Sequence, residues 1–201
     1  MNISKNVVLI DDGGANFTSV TAGLEQLGVN APITRDARQI QAADLVILPG
    51  VGAAGYSMKH LRDNGLVDVI CGLKQPVLGI CLGQQLLCES SSEDNAKCLG
   101  IIPVKVKKLE NIRIIPHMGW NNLTEIADDP LLEGFSTEDN FYFVHSFAPE
   151  VDSRWTIGVC DYGVKFSAII RKDNFYGVQF HPEKSGKVGA RLLANFLRLK
   201  C

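Results

Sequence analysis

The chain lacks the features that would send it to a membrane or to nucleic acid. Its 201 residues carry 20 Lys and Arg against 22 Asp and Glu, a net charge of -2. No global basic field therefore draws it to phosphate backbones or anionic lipid. The densest basic run, Lys105, Lys107 and Lys108, is interleaved with apolar residues and reads as the wet face of a strand. No apolar run approaches the roughly 18 residues of a membrane span. The polar Met1–Lys5 and the short run Val7–Ile10 carry no secretory signal pattern. The six cysteines never form Cys-x-x-Cys and never cluster with His, so neither a zinc site nor a disulfide scaffold is expected. Free thiols in a reducing, cytoplasmic setting are the expectation. Repeats and low-complexity linkers are also missing. With 46% hydrophobic residues the chain can bury a sizeable core, and one domain over residues 1–201 is expected.

What is present is ordered punctuation. Asn6–Ile10, Asp44–Leu48 and Val77–Ile80 are short apolar runs, and helical patterns cover Phe17–Leu27 and Leu82–Cys88. Buried strands alternating with helices predict parallel pairing with both faces covered. The second half changes character. Ile101–Val106, Arg113–Ile115, Asn140–Phe147, Trp155–Val159, Lys165–Ile170 and Tyr176–Phe180 read as strands separated by Gly, Asn and Asp turns. Val188, Leu192, Phe196 and Leu199 recur at helical spacing behind a Ser185 N-cap. The expected class is α/β: a single domain with a central mixed, mostly parallel sheet flanked by helices, and an added antiparallel sheet.

One segment carries chemistry. Gly79-Ile80-Cys81-Leu82-Gly83 ends an apolar strand and opens an apolar helix. This is a nucleophile elbow with Cys in place of Ser; the flanking glycines spare collisions across the tight turn. A helix N-terminus favours thiolate there, and the Leu82 N–H can face a developing oxyanion. A cysteine taken at random is a buried core thiol, and the other five are read that way. A thiolate nucleophile needs a base. Of four histidines, His60 lies in a polar helical stretch and is expected to be solvated. His181 stands in Gln179-Phe180-His181-Pro182-Glu183. In extended backbone, residues 181 and 183 share a side, so Glu183 can orient the imidazole while Pro182 ends the strand and leaves both side chains exposed.

Taken together, the elbow and His181-Pro182-Glu183 resemble the class I (triad) glutamine amidotransferases. Pro49–Gly52, Pro116-His117-Met118-Gly119-Trp120-Asn121, Tyr142-Phe143-Val144-His145-Ser146 and Gly177–Ser185 resemble one branch, the glutaminase subunits of imidazole glycerol phosphate synthase. The likeness runs from about Val7 to Phe196. It implies a triad of Cys81, His181 and Glu183. It implies an oxyanion hole from Gly50, Val51 and Gly52 with the Leu82 N–H. It implies glutamine contacts at Gln85, Glu93, His145 and Ser146. Asn16, Trp120, Tyr142 and Lys184 are implied at a partner interface or ammonia passage. Departures fall elsewhere: Asp12 and Ala15 replace a usual Tyr and Gly, Gln84 stands where Met is common, and Phe147 where Tyr is common.

The resemblance implies hydrolysis of glutamine to glutamate and ammonia, with no cofactor and no metal. The pattern uses nearly all of the chain, and ammonia released into neutral water would be protonated, so direct delivery to a bound protein is expected. The implied partner is a (β/α)8-barrel cyclase subunit, forming a heterodimer that makes imidazole glycerol phosphate and an aminoimidazole carboxamide ribonucleotide in histidine biosynthesis. Other readings share parts of the pattern: a glutaminase for another synthase or for sugar amidination, a cysteine hydrolase, or a binding module that kept the elbow. Without the resemblance, His117 and Trp120 read as residues packed under a sheet, and Tyr142 and His145 as a strand's outer face.

Overall fold

The computed structural model describes residues 5–14, 16–110, 112 and 114–200. Strands β1 (Val7–Ile10), β3 (Leu45–Leu48) and β4 (Val77–Ile80) are buried along their whole length. Their alternate residues feed two separate cores. Leu9, Ile47 and Leu78 face one side, with Val20 and Leu24 of α1 (Phe17–Glu25) and Leu192 and Phe196 of α6 (Gly186–Arg198). Val8, Val46 and Val77 face the other, with Ile40 of α2 (Ala37–Ala42), Met58 and Leu61 of α3 (Ala54–Asp63), Ile70 of α4 (Leu66–Cys71) and Leu86 of α5 (Leu82–Leu87). Apolar residues on both alternating sets, with no polar face, are what a two-sided sheet demands. Each such Val, Leu or Ile contributes about 1.5–3 kcal/mol of burial.

The remaining strands are β2 (Ile33–Thr34), β5 (Cys88–Ser91), β6 (Ala96–Lys97), β7 (Ile102–Lys108), β8 (His117–Ile126), β9 (Asn140–His145), β10 (Phe147–Pro149), β11 (Thr156–Asp161), β12 (Lys165–Lys172) and β13 (Phe175–Val178). The main sheet runs β2-β1-β3-β4-β13-β12-β11-β8-β9. From β2 to β13 the pairings are parallel, and from β13 to β9 antiparallel. A second sheet, β10-β7-β5-β6, packs alongside. The expected α/β class with a mixed sheet holds; one set of antiparallel strands extends the parallel half, while the second sheet is itself mixed, with β5–β7 parallel and β10–β7 and β5–β6 antiparallel.

Three local expectations fail. Arg113 lies outside the described residues, and Ile114 and Ile115 form an exposed bend instead of a strand. The strand begins after Pro116, which has no N–H for a ladder. Ser185 occupies the N-cap of α6, but its hydroxyl does not cap the helix. It donates to the His181 carbonyl at 2.7 Å and accepts from the Tyr142 N–H at 2.9 Å. His60 is not fully solvated: it is half-buried, with its ring against the Gly13 backbone.

Candidate active site

The buried strand β4 drives straight into α5 through Cys81, whose backbone sits at φ 54° and ψ -104°. That is strained for any residue with a side chain. The turn survives because its neighbours are glycines. A Cβ on Gly79 would lie 2.6 Å from the Gly83 carbonyl, and one on Gly83 would overlap the Leu48 carbonyl oxygen of β3. The Cys81 N–H donates to the Val178 carbonyl at 2.7 Å, which ties the elbow to β13. The sulfur receives the Gln179 amide at 3.6 Å and lies 3.9 Å from the Val144 carbonyl.

His181 follows β13, the strand paired with β4. Its Nδ1 lies 2.8 Å from Glu183 Oε1, which leaves Nε2 free for the thiol of Cys81, on the same cavity wall. Proximity of residues 181 and 183 is as expected, but its cause is different. Residues Pro182–Lys184 form a 3-10 turn, not extended backbone. Nor does the end of the strand expose the pair: the His181 and Glu183 side chains are 4% and 0% exposed. Burial pulls the His181 pKa down, yet the hydrogen bonds and charges of Cys81 and Glu183 outweigh it and raise it to about 10. For Glu183, burial pushes upward, but His181 and the Asn16 amide hold it below the usual carboxylate range. Asn16 Nδ2 donates to the same Oε1 at 2.8 Å. That bond explains why Asn16 precedes α1 without capping it, in a left-handed conformation at φ 79°.

A cavity of about 360 Å³ opens in front of the sulfur, within the range of small-molecule clefts. Val51, Gly52 and Leu82 line one wall, His145 and Ser146 another, and Gln85, Glu93 and Lys184 complete the rim. Gln85 lies one helical turn beyond Cys81 and donates to the Phe147 carbonyl at 2.9 Å and to Gln179 Oε1 at 3.0 Å. Glu93 accepts the Ala54 N–H at 2.9 Å; partial burial raises its pKa. Gly50 stands behind the loop, Glu183 and Asn16 behind His181. Trp120 and Tyr142 do not line the cavity. They pair across β8 and β9 and meet edge-to-face, ring centroids 5.8 Å apart. Trp120 is 59% exposed, and with the exposed Ile114 and Met118 it lines a second, shallow depression; Ile115 is also exposed, and Pro116 after it lines the cavity in front of the sulfur.

Sequence reasoning gave no role to Gln179 and did not pair His117 with His145. Gln179, fully buried, bridges the sulfur to Gln85; a lone amide ending the apolar run from Phe175 was the available signal. His117 is buried and its Nδ1 lies 3.0 Å from His145 Nε2, while His145 Nδ1 lies 2.9 Å from the Phe147 carbonyl. Burial lowers both pKa values, to about 4 for His117 and about 3 for His145. Among the described residues no cluster of His, Cys, Asp or Glu could hold a metal ion. A thiol, an oriented imidazole and backbone N–H groups around one cavity can perform acyl transfer through a thioester.

Comparison with known proteins agrees with this geometry. Residues 8–199 match the family model for class-I glutamine amidotransferases. The imidazole glycerol phosphate synthase subunit HisH of Idiomarina loihiensis is 51% identical over 196 residues, covering 96% of this chain and 98% of that one. The HisH protein of Vibrio cholerae is 46% identical over 204 residues, covering 98% and 100%. Among solved structures, a glutamine amidotransferase from Thermotoga maritima superposes with TM-score 0.66 at 17% identity, covering 96% of this chain and 82% of that one. At that identity the structural likeness speaks to the fold alone; the family model and the HisH relatives go further, and on them this chain belongs to the class-I glutamine amidotransferases, among the HisH subunits of imidazole glycerol phosphate synthase.

Proposed function

We propose that this chain hydrolyses glutamine to glutamate and ammonia and passes the ammonia to a cyclase partner. The observation that carries it is His181, held between the Cys81 sulfur and the buried Glu183 carboxylate at the wall of the cavity. Cys81 thiolate attacks the side-chain carbonyl of glutamine. The Leu82 N–H, unpaired at the first helical position, and the Val51 N–H hold the oxyanion, each donor contributing about 3 kcal/mol in the transition state. His181 gives its proton to the departing nitrogen, ammonia leaves, and a thioester remains. The same imidazole then takes a proton from water, which attacks the thioester and frees glutamate. Gln85 and Ser146 are suited to the substrate's polar groups, and the Glu93 carboxylate to its ammonium.

The exposed surface around Met118 and Trp120, with Tyr142 beside it and Lys184 at the rim, is where we place the partner. Apolar and aromatic residues at a cavity mouth are what a protein interface uses. The HisH relatives support a partner subunit within imidazole glycerol phosphate synthase; in our reading it is a (β/α)8-barrel cyclase, paired with this chain as a heterodimer in cytoplasmic histidine biosynthesis. The test is glutamine-dependent cyclisation by the mixed subunits. Wild-type chain should support it with stoichiometric glutamate, Cys81→Ala should abolish glutamate release, and Trp120→Ala should weaken association about tenfold or more. Retained glutamate release by Cys81→Ala, or a complex that cyclises only with added ammonia, would overturn the proposal.

A further inference from the structure

Asp12 follows β1 and is fully buried, yet no step above uses it. Its Oδ2 accepts the Ser57 hydroxyl of α3 at 2.9 Å and its Oδ1 the Gly14 N–H at 3.1 Å. No Lys, Arg or His among the described residues forms an ion pair with it. Burial raises its pKa, against the hydrogen bonds that favour the anion. A buried carboxylate with only neutral donors is costly, and an apolar residue would fill the space more cheaply.

The place it fills is the underside of the oxyanion loop. A methyl group on Gly50 would stand 2.9 Å from Asp12 Oδ2 and 3.1 Å from the Leu82 Cβ. A methyl group on Gly14 would stand 3.1 Å from both Asp12 Oδ1 and the Val51 carbonyl oxygen. The carboxylate is therefore wedged between the segment after β1 and the segment after β3, in contact range of Gly50. Helix α3 holds it from outside. Ser57 bonds the carboxylate, and His60, three residues along, packs its ring on Gly13. Gly50 and Gly52 leave the loop itself without side chains to fix it, and Gly52 has φ +106°. The loop's position depends on what lies beneath it.

We propose that Asp12 is a positioning residue for glutamine hydrolysis: its carboxylate, tied to Ser57 and Gly14, is the floor under Gly50 that sets the Val51 N–H where the oxyanion forms. This rests on the glutaminase activity proposed above. Asp12 touches no reacting atom; it acts through Gly50 and Val51. Loss of the floor displaces an oxyanion donor, which slows the step that builds negative charge and leaves substrate affinity and thiol reactivity alone.

The test compares the wild-type chain, Asp12→Ala and Asp12→Asn, each assembled with the cyclase, by two readouts. One is steady-state glutamate release from glutamine. The other is alkylation of Cys81 by iodoacetamide, followed at that residue by mass spectrometry, a displacement that forms no oxyanion. Asp12→Ala should lower kcat about 10- to 100-fold, as expected for an ångström-scale misplacement. KM and the alkylation rate should stay within about twofold. Asp12→Asn keeps the shape and one acceptor oxygen, and should recover kcat to within about fivefold of wild type. Unchanged kcat in Asp12→Ala, or kcat and alkylation falling together, overturns the proposal. Should Asp12→Ala fail to fold, Ser57→Ala, which removes one tie and leaves the carboxylate, should show the same split at smaller amplitude; an unchanged kcat there overturns it. Wild-type chain that releases no glutamate defeats the glutaminase activity itself, a result distinct from a wild-type rate that Asp12→Ala leaves intact.

Discussion

The His117–His145 pair makes the chain sensitive to mild acid in a calculable way. The Phe147 carbonyl can only accept, so His145 carries its proton on Nδ1. His145 Nε2 is then an acceptor, and the partner 3.0 Å away, His117 Nδ1, must donate. His117 Nε2 is left to accept from the Asn121 amide. Both rings are neutral with fixed tautomers, and a proton on His145 Nε2 would face the proton on His117. Burial is the first cause of the lowered pKa of His145, from 6.5 to about 3; the neighbouring His117 and His181 add to it. The unfolded chain therefore binds a proton near pH 6.5 that the folded chain refuses until about 3. The stability from this site is fully present above pH 6.5 and is lost as pH falls towards 3. The full slope of about 1.4 kcal/mol per unit is reached only below pH 6.5, where the unfolded histidine is half protonated, so lowering the pH from about 6.5 to about 4.5 costs about 2 kcal/mol at His145. His117, also buried and with a folded value of about 4, adds to the loss in the same direction. Against a typical total of about 5–15 kcal/mol, that is a large fraction. Urea unfolding at the two pH values measures it, with His145→Gln as comparison. The wild type should lose about 2 kcal/mol more than the variant over this interval. Equal losses, or an imidazole NMR signal of His145 titrating near its ordinary value of 6.5, would refute the reasoning.

Two further outcomes follow from the elbow and the triad. Gly83→Ala forces a methyl group into the Leu48 carbonyl oxygen, backbone against backbone, and should destabilise the fold by about 3 kcal/mol or more, read as a lowered urea midpoint; an unchanged midpoint would contradict the close approach. Glu183→Gln removes the charge that favours the His181 imidazolium, so the His181 titration should move down from about 10 and kcat should fall about 10²- to 10⁴-fold. An unmoved titration would show that Cys81 alone sets it.

The local features of the parallel half were legible because there one residue type had one physical reason to be where it is. Val77–Ile80 reads as a buried strand and is one. The glycines at 79 and 83 read as relief for a tight turn and are. The site was legible where its chemistry is side-chain chemistry within a short stretch, as at His181 and Glu183, although the 3-10 turn that joins them and their burial were not. What escaped depends on long-range register. The pairing of His117 with His145 comes from β8 lying antiparallel to β9, and nothing local marks it. The bend at Ile114 and Ile115 looked like a strand because apolar residues meant for an outer surface carry the same composition as those meant for a core. Gln84, a departure from the family pattern, proves to be a core residue: buried, with its amide on the Ser167 carbonyl at 3.0 Å.

Strand β13 explains why residues a hundred positions apart meet. It is the last strand of the parallel half and the first of the antiparallel half, pairing with β4 on one edge and β12 on the other. Parallel register sets Ile80 beside Val178, so both chains leave the sheet at the same carboxyl edge. On one strand the next residue is Cys81. On the other, His181 comes three residues later, after Gln179 has donated its N–H to the Ala168 carbonyl of β12. The antiparallel half then closes over the gap: the His181 N–H donates to the Tyr142 carbonyl of β9 at 2.9 Å, and Ser185 bonds both the Tyr142 N–H and the His181 carbonyl. The imidazole is thus fixed at its backbone by β9 and at its ring by Glu183, while the sulfur is fixed by the elbow. Open α/β sheets bind ligands outside the carboxyl ends of their strands. Here the switch from parallel to antiparallel pairing supplies the second wall of the cavity, with His145 and Ser146 at the end of the strand that holds the histidine in place.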